Sequence, residues 1–194
     1  MNDLIGILCH QLPERSPRCE NEIFPLCFRC AGIYLGLFSS YSCLAVRSRG
    51  APSPFPDVKT GFAIAAIMFP LWADGLANSF RLWATPAWLR AISGAGVGVG
   101  LPLLLVPLLP SVRGYASATR LQNGWAGWTL IAPLALSALL VALVVWPIET
   151  NTFHLLQILA ALGMVCLCVN FALLVARYLG ENCIRSRTWG RRLR

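Results

Sequence analysis

The 194-residue chain is 57% hydrophobic and only 12% charged, and its formal net charge is +8. Soluble domains typically carry about 25% charged residues, so this composition excludes an ordinary water-soluble domain. The mean hydropathy of +0.64 points the same way. The length of the apolar stretches then decides the class of protein.

Five apolar stretches are long enough, or nearly long enough, to cross a membrane as helices, since a span needs about 20 residues. The alternation of short segments that is typical of barrel strands does not occur in the sequence. We therefore predict an all-α integral membrane protein, a bundle of about five transmembrane helices at residues 27–46, 60–80, 89–110, 128–147 and 153–179. The third stretch is interrupted by Pro102 and Pro107.

The chain divides into a Cys/His-rich N-terminal segment (residues 1–26), the transmembrane bundle (27–180) and a basic C-terminal tail (181–194). Basic residues are concentrated after the first, third and fifth stretches. The positive-inside rule assigns that face to the cytoplasm. We expect a multi-pass protein of the inner or plasma membrane, with its N-terminus outside and its C-terminus cytoplasmic.

This topology predicts which distant residues can meet. The N-terminal segment, Asp74, Arg90 and His154 should all lie at one end of the bundle. The predicted partner is the lipid bilayer, and the Arg-rich tail with Trp189 follows the last stretch directly, which favours contact with anionic lipid over nucleic acid. No nucleic-acid partner is expected, and the sequence leaves the substrate unknown.

The N-terminal segment carries the recognisable chemistry. Cys9 and His10 are followed, after a spacer, by the C-x-x-C pair Cys27 and Cys30, a spacing that resembles zinc sites. Three thiolates and one imidazole suit Zn²⁺, and iron or copper would also be accepted. Cys19 is a spare ligand, because the adjacent residues Cys9 and His10 point to different sides of any regular structure.

The same cysteines allow a second interpretation. Thiols on an extracytoplasmic face tend to form disulfides, and Cys27 and Cys30 at the start of a helix are in the setting of a reactive redox pair. Inert thiols are the third possibility. The residue types alone leave these alternatives open.

Asp74 lies within an apolar stretch, where a charge usually has a partner or a role. Arg81 lies seven residues on, on the same helical face, and Arg90 on the next helix is the alternative partner. An ion pair that fixes helix packing is one interpretation. A group that orients His10 at a metal site, or a proton carrier, is the other.

Three functions follow from these residues: a metal-dependent membrane protein, a thiol–disulfide redox protein using Cys27 and Cys30, and a non-enzymatic carrier or assembly partner using Asp74 and Arg90. Whether the chain is an enzyme is left open. If it is, the candidate catalytic residues are Glu14, Asp74 and Arg90, with Glu14 as the nearest general base to the predicted metal.

The segments C-H-Q-x-P-E-R-S and C-x-R-C-x-G-I-Y resemble the opening of a family of small prokaryotic membrane proteins, domain of unknown function 2085. The resemblance continues through Asp74-Gly75-Leu76 and Gly94 and covers roughly residues 9–100, while Phe28, Ala31 and 83–87 depart from it. It implies a membrane protein and no particular activity. The positions it singles out are Cys9, His10, Glu14, Arg15, Ser16, Cys27, Cys30, Asp74 and Arg90.

Overall fold

The computed structural model describes residues 9, 13–20, 22–47, 56–80, 82–111, 125–146 and 149–192, with the backbone alone at 13, 47, 109–111, 125–129 and 180–192. The elements in these ranges are a 3₁₀ turn (Pro13–Arg15), two short strands and five helices. The strands are β1 (Arg18–Cys19) and β2 (Glu22–Ile23). The helices are α1 (Phe28–Arg47), α2 (Val58–Ser79), α3 (Ala87–Ser111), α4 (Trp125–Val145) and α5 (Thr150–Arg192). The expected all-α membrane fold is confirmed.

Three helices of the described part are long and apolar enough to cross a membrane: Val58–Ser79, Ala87–Leu108 and Thr150–Leu179. The third predicted stretch is one continuous helix through Pro102 and Pro107. The last helix runs on to Arg192, so most of the basic tail continues α5.

Helix α1 is the central helix of the bundle and packs against α3, α4 and α5. Its residues Ala31, Leu35 and Leu37 are completely buried, as are the hydroxyl-bearing Ser39 and Ser40. The two serines donate hydrogen bonds to the carbonyl oxygens of Leu35 (2.8 Å) and Val99 (3.1 Å) respectively. Polar groups that are satisfied within the protein can lie at membrane depth, so an inner helix needs less apolar surface than a lipid-facing one.

Glycines on α3 bring its neighbours into backbone contact on two opposite faces. A Cβ at Gly94 or Gly98 would overlap the carbonyl oxygens of Arg29 and Ile33 on α1. A Cβ at Gly96 would overlap the carbonyl oxygen of Ile67 on α2. Residues two apart point to opposite sides of a helix, and α3 therefore separates α1 from α2 by little more than its own backbone. Glycines at alternate positions of α3 thus serve close helix packing.

The N-terminal segment folds over the start of α1. Strands β1 and β2 form an antiparallel hairpin in which Arg18 is opposite Ile23 and Cys19 is opposite Glu22. Phe24, which is 1% exposed, packs edge-to-face on Phe153 at a centroid distance of 5.2 Å. This contact attaches the segment to the first turn of α5.

Contacts between helix ends place four termini together, and the Phe24–Phe153 contact adds the start of α5 through the hairpin. Phe28 and Val145 pack against the buried cluster of Ala91, Ala95 and Val141, which joins the starts of α1 and α3 to the end of α4. Asp74, near the end of α2, pairs with Arg29. We call this end, with the hairpin that covers it, the cysteine end of the bundle. The sequence-based expectation that these segments meet agrees with the contacts.

Gly98→Ala should lower the free energy of unfolding, because its Cβ would also lie 2.9 Å from both the Gly36 Cα and the Leu37 amide nitrogen, backbone atoms that cannot rotate away. Overpacking of this kind costs about 1–3 kcal/mol. Thermal unfolding of the detergent-solubilised protein measures the effect. The control is Gly61→Ala on α2, where the new Cβ meets nothing within 4 Å and helix propensity improves by up to about 1 kcal/mol. Equal effects of the two substitutions would contradict the packing described.

Candidate metal centre

Three thiols converge at the cysteine end of the bundle. The Sγ atoms of Cys9, Cys27 and Cys30 all lie within 4.8 Å of one another. Thiolates bound at about 2.3 Å to one tetrahedral ion lie roughly 3.8 Å apart, so small side-chain adjustments would bring all three to a single ion. This group could therefore hold a metal ion.

Backbone amide groups around the three thiols favour negatively charged sulfur. Cys27 directly precedes α1, so the free amide groups of the first helical turn point towards its side chain. The amides of Cys30 and Arg29 donate hydrogen bonds to the Cys27 sulfur. The Cys27 amide in turn donates to the Cys9 Sγ at 3.3 Å. Amide donors of this kind stabilise a thiolate more than a thiol.

One thiol of the group ionises readily. The hydrogen bond from the Cys30 thiol is the main cause that lowers the pKa of Cys27 to about 5, aided by the backbone amides and opposed by partial burial. Cys9 of the same group is buried, with 4% of its surface exposed, whereas Cys27 and Cys30 are partly buried. The arrangement supplies a nucleophilic or metal-binding thiolate at neutral pH.

The other predicted ligands lie elsewhere or outside the described residues. His10, which follows Cys9 in the sequence, lies outside the described residues. Cys19 is buried on β1 and does not belong to the thiol group. His154 pairs with Glu22 of β2 at 3.4 Å, and both side chains are about half exposed. Each of the seven cysteines that the structure describes is a free thiol.

Asp74 is joined to the cysteine motif itself. Its side chain is 5% exposed and forms an ion pair with Arg29, the residue inside the C-x-x-C turn. Thr85, in the connection before α3, donates a hydrogen bond to the other carboxylate oxygen. Among the described residues the partner is thus Arg29, rather than Arg90 as considered from the sequence; Arg81 lies outside them. This pairing agrees with the packing interpretation of Asp74.

The candidate catalytic residues occupy different settings. Glu14 is exposed on the turn Pro13–Arg15. Asp74 is buried and committed to two partners. Arg90, in the first turn of α3, has a buried Nε atom with no hydrogen-bond partner among the described residues. Of the three, Arg90 is the one with a buried donor that has no partner among the described residues.

Sequence reasoning missed Arg29 and Thr85. Arg29 could have been found, because it stands between the two cysteines of C-x-R-C and an intramembrane carboxylate needs a cation. Thr85 gave no signal, since a threonine in an irregular connection belongs to no pattern.

Comparison with known proteins relates part of the chain to a protein family. Residues 9–104 match the family model described as "Predicted membrane protein (DUF2085)". This region of the chain belongs to the DUF2085 family. The matched region holds every residue of the thiol group, Arg29, Asp74, Thr85 and Arg90, whereas α4 and α5 lie beyond it.

A protein described as uncharacterized, from Methanothermobacter thermautotrophicus, is 29% identical to the chain over 97 residues, which is 50% of this chain and 83% of that protein. No solved structure matches the chain. The comparisons therefore support a helical membrane protein in contact with the bilayer, and the DUF2085 region is where its distinctive polar residues are found.

Replacing Arg29 by Gln or Asp74 by Asn should destabilise the protein, because each change leaves the opposite charge without its partner. Breaking a buried pair costs about 3–5 kcal/mol, and the lower end applies because 27% of the Arg29 side chain is exposed. The double variant should lose little more than either single variant. A double-mutant cycle on unfolding of the solubilised protein measures the coupling.

The matched control is Asp57→Asn at the start of α2, an exposed carboxylate that makes no side-chain capping hydrogen bond. Its effect should stay within about 0.5 kcal/mol. Additive losses at Arg29 and Asp74 would refute a direct interaction.

Proposed function

We propose that this chain is a zinc-binding membrane protein whose metal centre is formed by Cys9, Cys27 and Cys30 with His10 as the fourth ligand. The observation that carries the proposal is the convergence of three thiols within 4.8 Å. His10 is the sequence neighbour of Cys9, and the ligand spacing of the sequence predicts it as the fourth ligand. Four ligands of these types match the tetrahedral preference of Zn²⁺.

The surroundings support a bound cation over a set of simple core cysteines. Amides donate to Cys27 and Cys9, and the C-x-x-C turn is held from a second helix by the Arg29–Asp74 pair. Groups that orient metal ligands in this manner are a regular feature of metal sites. Asp74 is therefore proposed to act on the site through Arg29, as a positioning residue.

The metal has two possible roles, and the fourth ligand separates them. If His10 is the fourth ligand, the metal has no open position and holds the N-terminal segment on the bundle. With water in that position, the ion would lower the pKa of the water and supply a nucleophile. We propose the closed, structural site, because such an ion would reinforce the small hairpin and the Phe24 contact that hold the described part of the segment on the bundle.

Thiol–disulfide exchange is the second candidate function, favoured by the low pKa of Cys27 beside Cys30. It uses two of the same residues and predicts that they cycle between reduced and oxidised forms. Alkylation trapping in intact cells separates the two functions. Bound zinc predicts slow alkylation that a chelator accelerates, whereas exchange predicts a Cys27–Cys30 disulfide that a reductant opens.

Protein purified anaerobically should contain about one zinc ion per chain, and replacing any of Cys9, Cys27 or Cys30 by Ser should remove most of it. Elemental analysis of the solubilised protein measures the content. Cys43→Ser is the matched control, because Cys43 lies on α1 outside the thiol group. His10→Ala should weaken binding without abolishing it. A substoichiometric metal content in the wild-type protein, for any transition metal, would overturn the proposal.

We further propose that the cysteine end faces the outside of the cell membrane and that the C-terminus is cytoplasmic. Arg47 and Lys59 lie at the opposite end of α1 and α2, as the positive-inside rule requires of the cytoplasmic face. Carrier function through Asp74 and Arg90 receives less support, since Asp74 is held by Arg29 and Thr85.

Fusion of a reporter to the C-terminus tests the orientation. A cytoplasm-active fluorescent reporter should be bright there, and an export-dependent phosphatase fused at the same position should be inactive. In whole cells, a membrane-impermeant maleimide should label a cysteine placed at exposed Glu14 and leave one placed at exposed Lys59 unlabelled. The reverse labelling pattern would invert the topology.

A further inference from the structure

Three arginines meet at the cysteine end, and only one of them has a carboxylate. Arg90, at the start of α3, lies close enough to Arg15 and Arg29 for their charges to repel one another. Arg29 pairs with Asp74, and no ion pair of Arg15 or Arg90 occurs among the described residues. Like charges brought together in a partly buried region are unfavourable unless an anion compensates them.

The thiol group supplies part of that compensation. Cys27 lies within electrostatic range of Arg90 and favours its charge. Three thiolates around a Zn²⁺ ion carry one net negative charge, and Asp74 carries another. Three guanidinium groups against these two negative charges leave one positive charge in excess.

Two hydrogen-bond donors of this arginine group are also unused. The Nε atoms of Arg29 and Arg90 are buried and have no acceptor in the part of the chain that the structure describes. A buried donor without a partner is unfavourable, because it has lost its hydrogen bonds to water. A planar guanidinium presents donors in a fork that matches the oxygens of a phosphate.

Exposed aromatic residues near the three arginines indicate the depth of this arginine group in the membrane. Phe80, Trp83 and Trp88 surround the connection between α2 and α3, and Trp146 follows α4 at the same end of the bundle; each is 48–72% exposed. Tryptophan is enriched at the membrane–water interface. Arg90 is two residues from Trp88, and this pattern favours a position for Arg90 near the level of the lipid phosphates.

We infer that Arg15, Arg29 and Arg90 form a binding site for a phosphate group, at the membrane surface beside the cysteine cluster. The inference deepens the proposed function by naming the ligand class that this site takes, and it rests on that function for the neighbouring zinc ion. The phosphate belongs to a lipid headgroup or to a soluble phosphate compound. Both present the same oxygens to the arginines.

The test uses the full chain, purified with zinc and reconstituted in nanodiscs of neutral lipid. Inorganic phosphate is titrated in one arm. In the other, nanodiscs contain increasing fractions of phosphatidylglycerol, and native mass spectrometry counts the lipids retained. Arg90→Gln and Arg15→Gln should each weaken the binding about tenfold, because each removes one charge-assisted contact. Lys59→Gln, an exposed charge at the other end of α2, should leave it unchanged.

Binding in the first arm, in the second or in both supports the site and identifies the source of the phosphate. No binding in either arm, or arginine variants that bind like the wild type, overturns the inference. Arg15 is exposed on a turn, so its variant is expected to fold, and Arg90→Lys keeps the charge if Arg90→Gln fails to fold.

Zinc content is measured on the same samples. Phosphate binding without zinc would refute the metal proposal alone, and zinc without phosphate binding would refute this inference alone.

Discussion

The backbone contact between α1 and α3 is the constraint on which the rest of the molecule depends. Gly94 and Gly98 leave no room for a side chain against the carbonyl oxygens of Arg29 and Ile33. Close approach through small residues is how membrane helices associate where the hydrophobic effect offers no drive. Because Gly94 abuts Arg29 itself, this contact also sets where the C-x-x-C turn stands relative to Arg90.

Because glycines leave α3 without side chains on two opposite faces, helix α2 also reaches the site. Gly96 brings Ile67 of α2 against the opposite face of α3, so the end of α2 comes near the start of α1. Asp74 can then pair with Arg29, and Thr85 completes the carboxylate's hydrogen bonds. Packing in the middle of the membrane thus determines electrostatics at its surface. The region that matches the DUF2085 family contains all of these residues. Helices α4 and α5, which complete the bundle, lie outside the matched region.

Groups of opposite charge lie next to one another at the cysteine end. The thiol group is electron-rich and is stabilised by amide donors, and the arginines surround it with positive charge. Asp74 pairs with the one arginine that lies inside the cysteine motif, and the Nε atom of that arginine keeps no partner among the described residues. Arg15, Arg90 and this Nε atom are left to attract an external anion. The proposed metal site, with the proposed anion site beside it, accounts for the grouping of Asp74 with Arg15, Arg29 and Arg90.

Much of this could be predicted from the sequence, because it depends on run length and spacing. Apolar stretches indicated the helices, and the cysteine spacing grouped Cys9 with Cys27 and Cys30, whose thiols do lie together. The partner of Asp74 could not be obtained in this way, since positions along one helix do not reveal the register between two helices. Cys19 was grouped as a spare ligand because spacing does not show that a two-residue hairpin holds it apart. The metal role of the group and of His10 stays a prediction.

X-ray absorption at the zinc edge tests the central claim most directly, because it counts the atoms bound to the ion in the intact, membrane-embedded protein. The account predicts a first shell of three sulfur atoms at about 2.3 Å and one nitrogen at about 2.0 Å. The His10→Ala variant should keep the three sulfur atoms and lose the imidazole signal. A first shell of oxygen and nitrogen without sulfur would contradict a metal centre built on Cys9, Cys27 and Cys30.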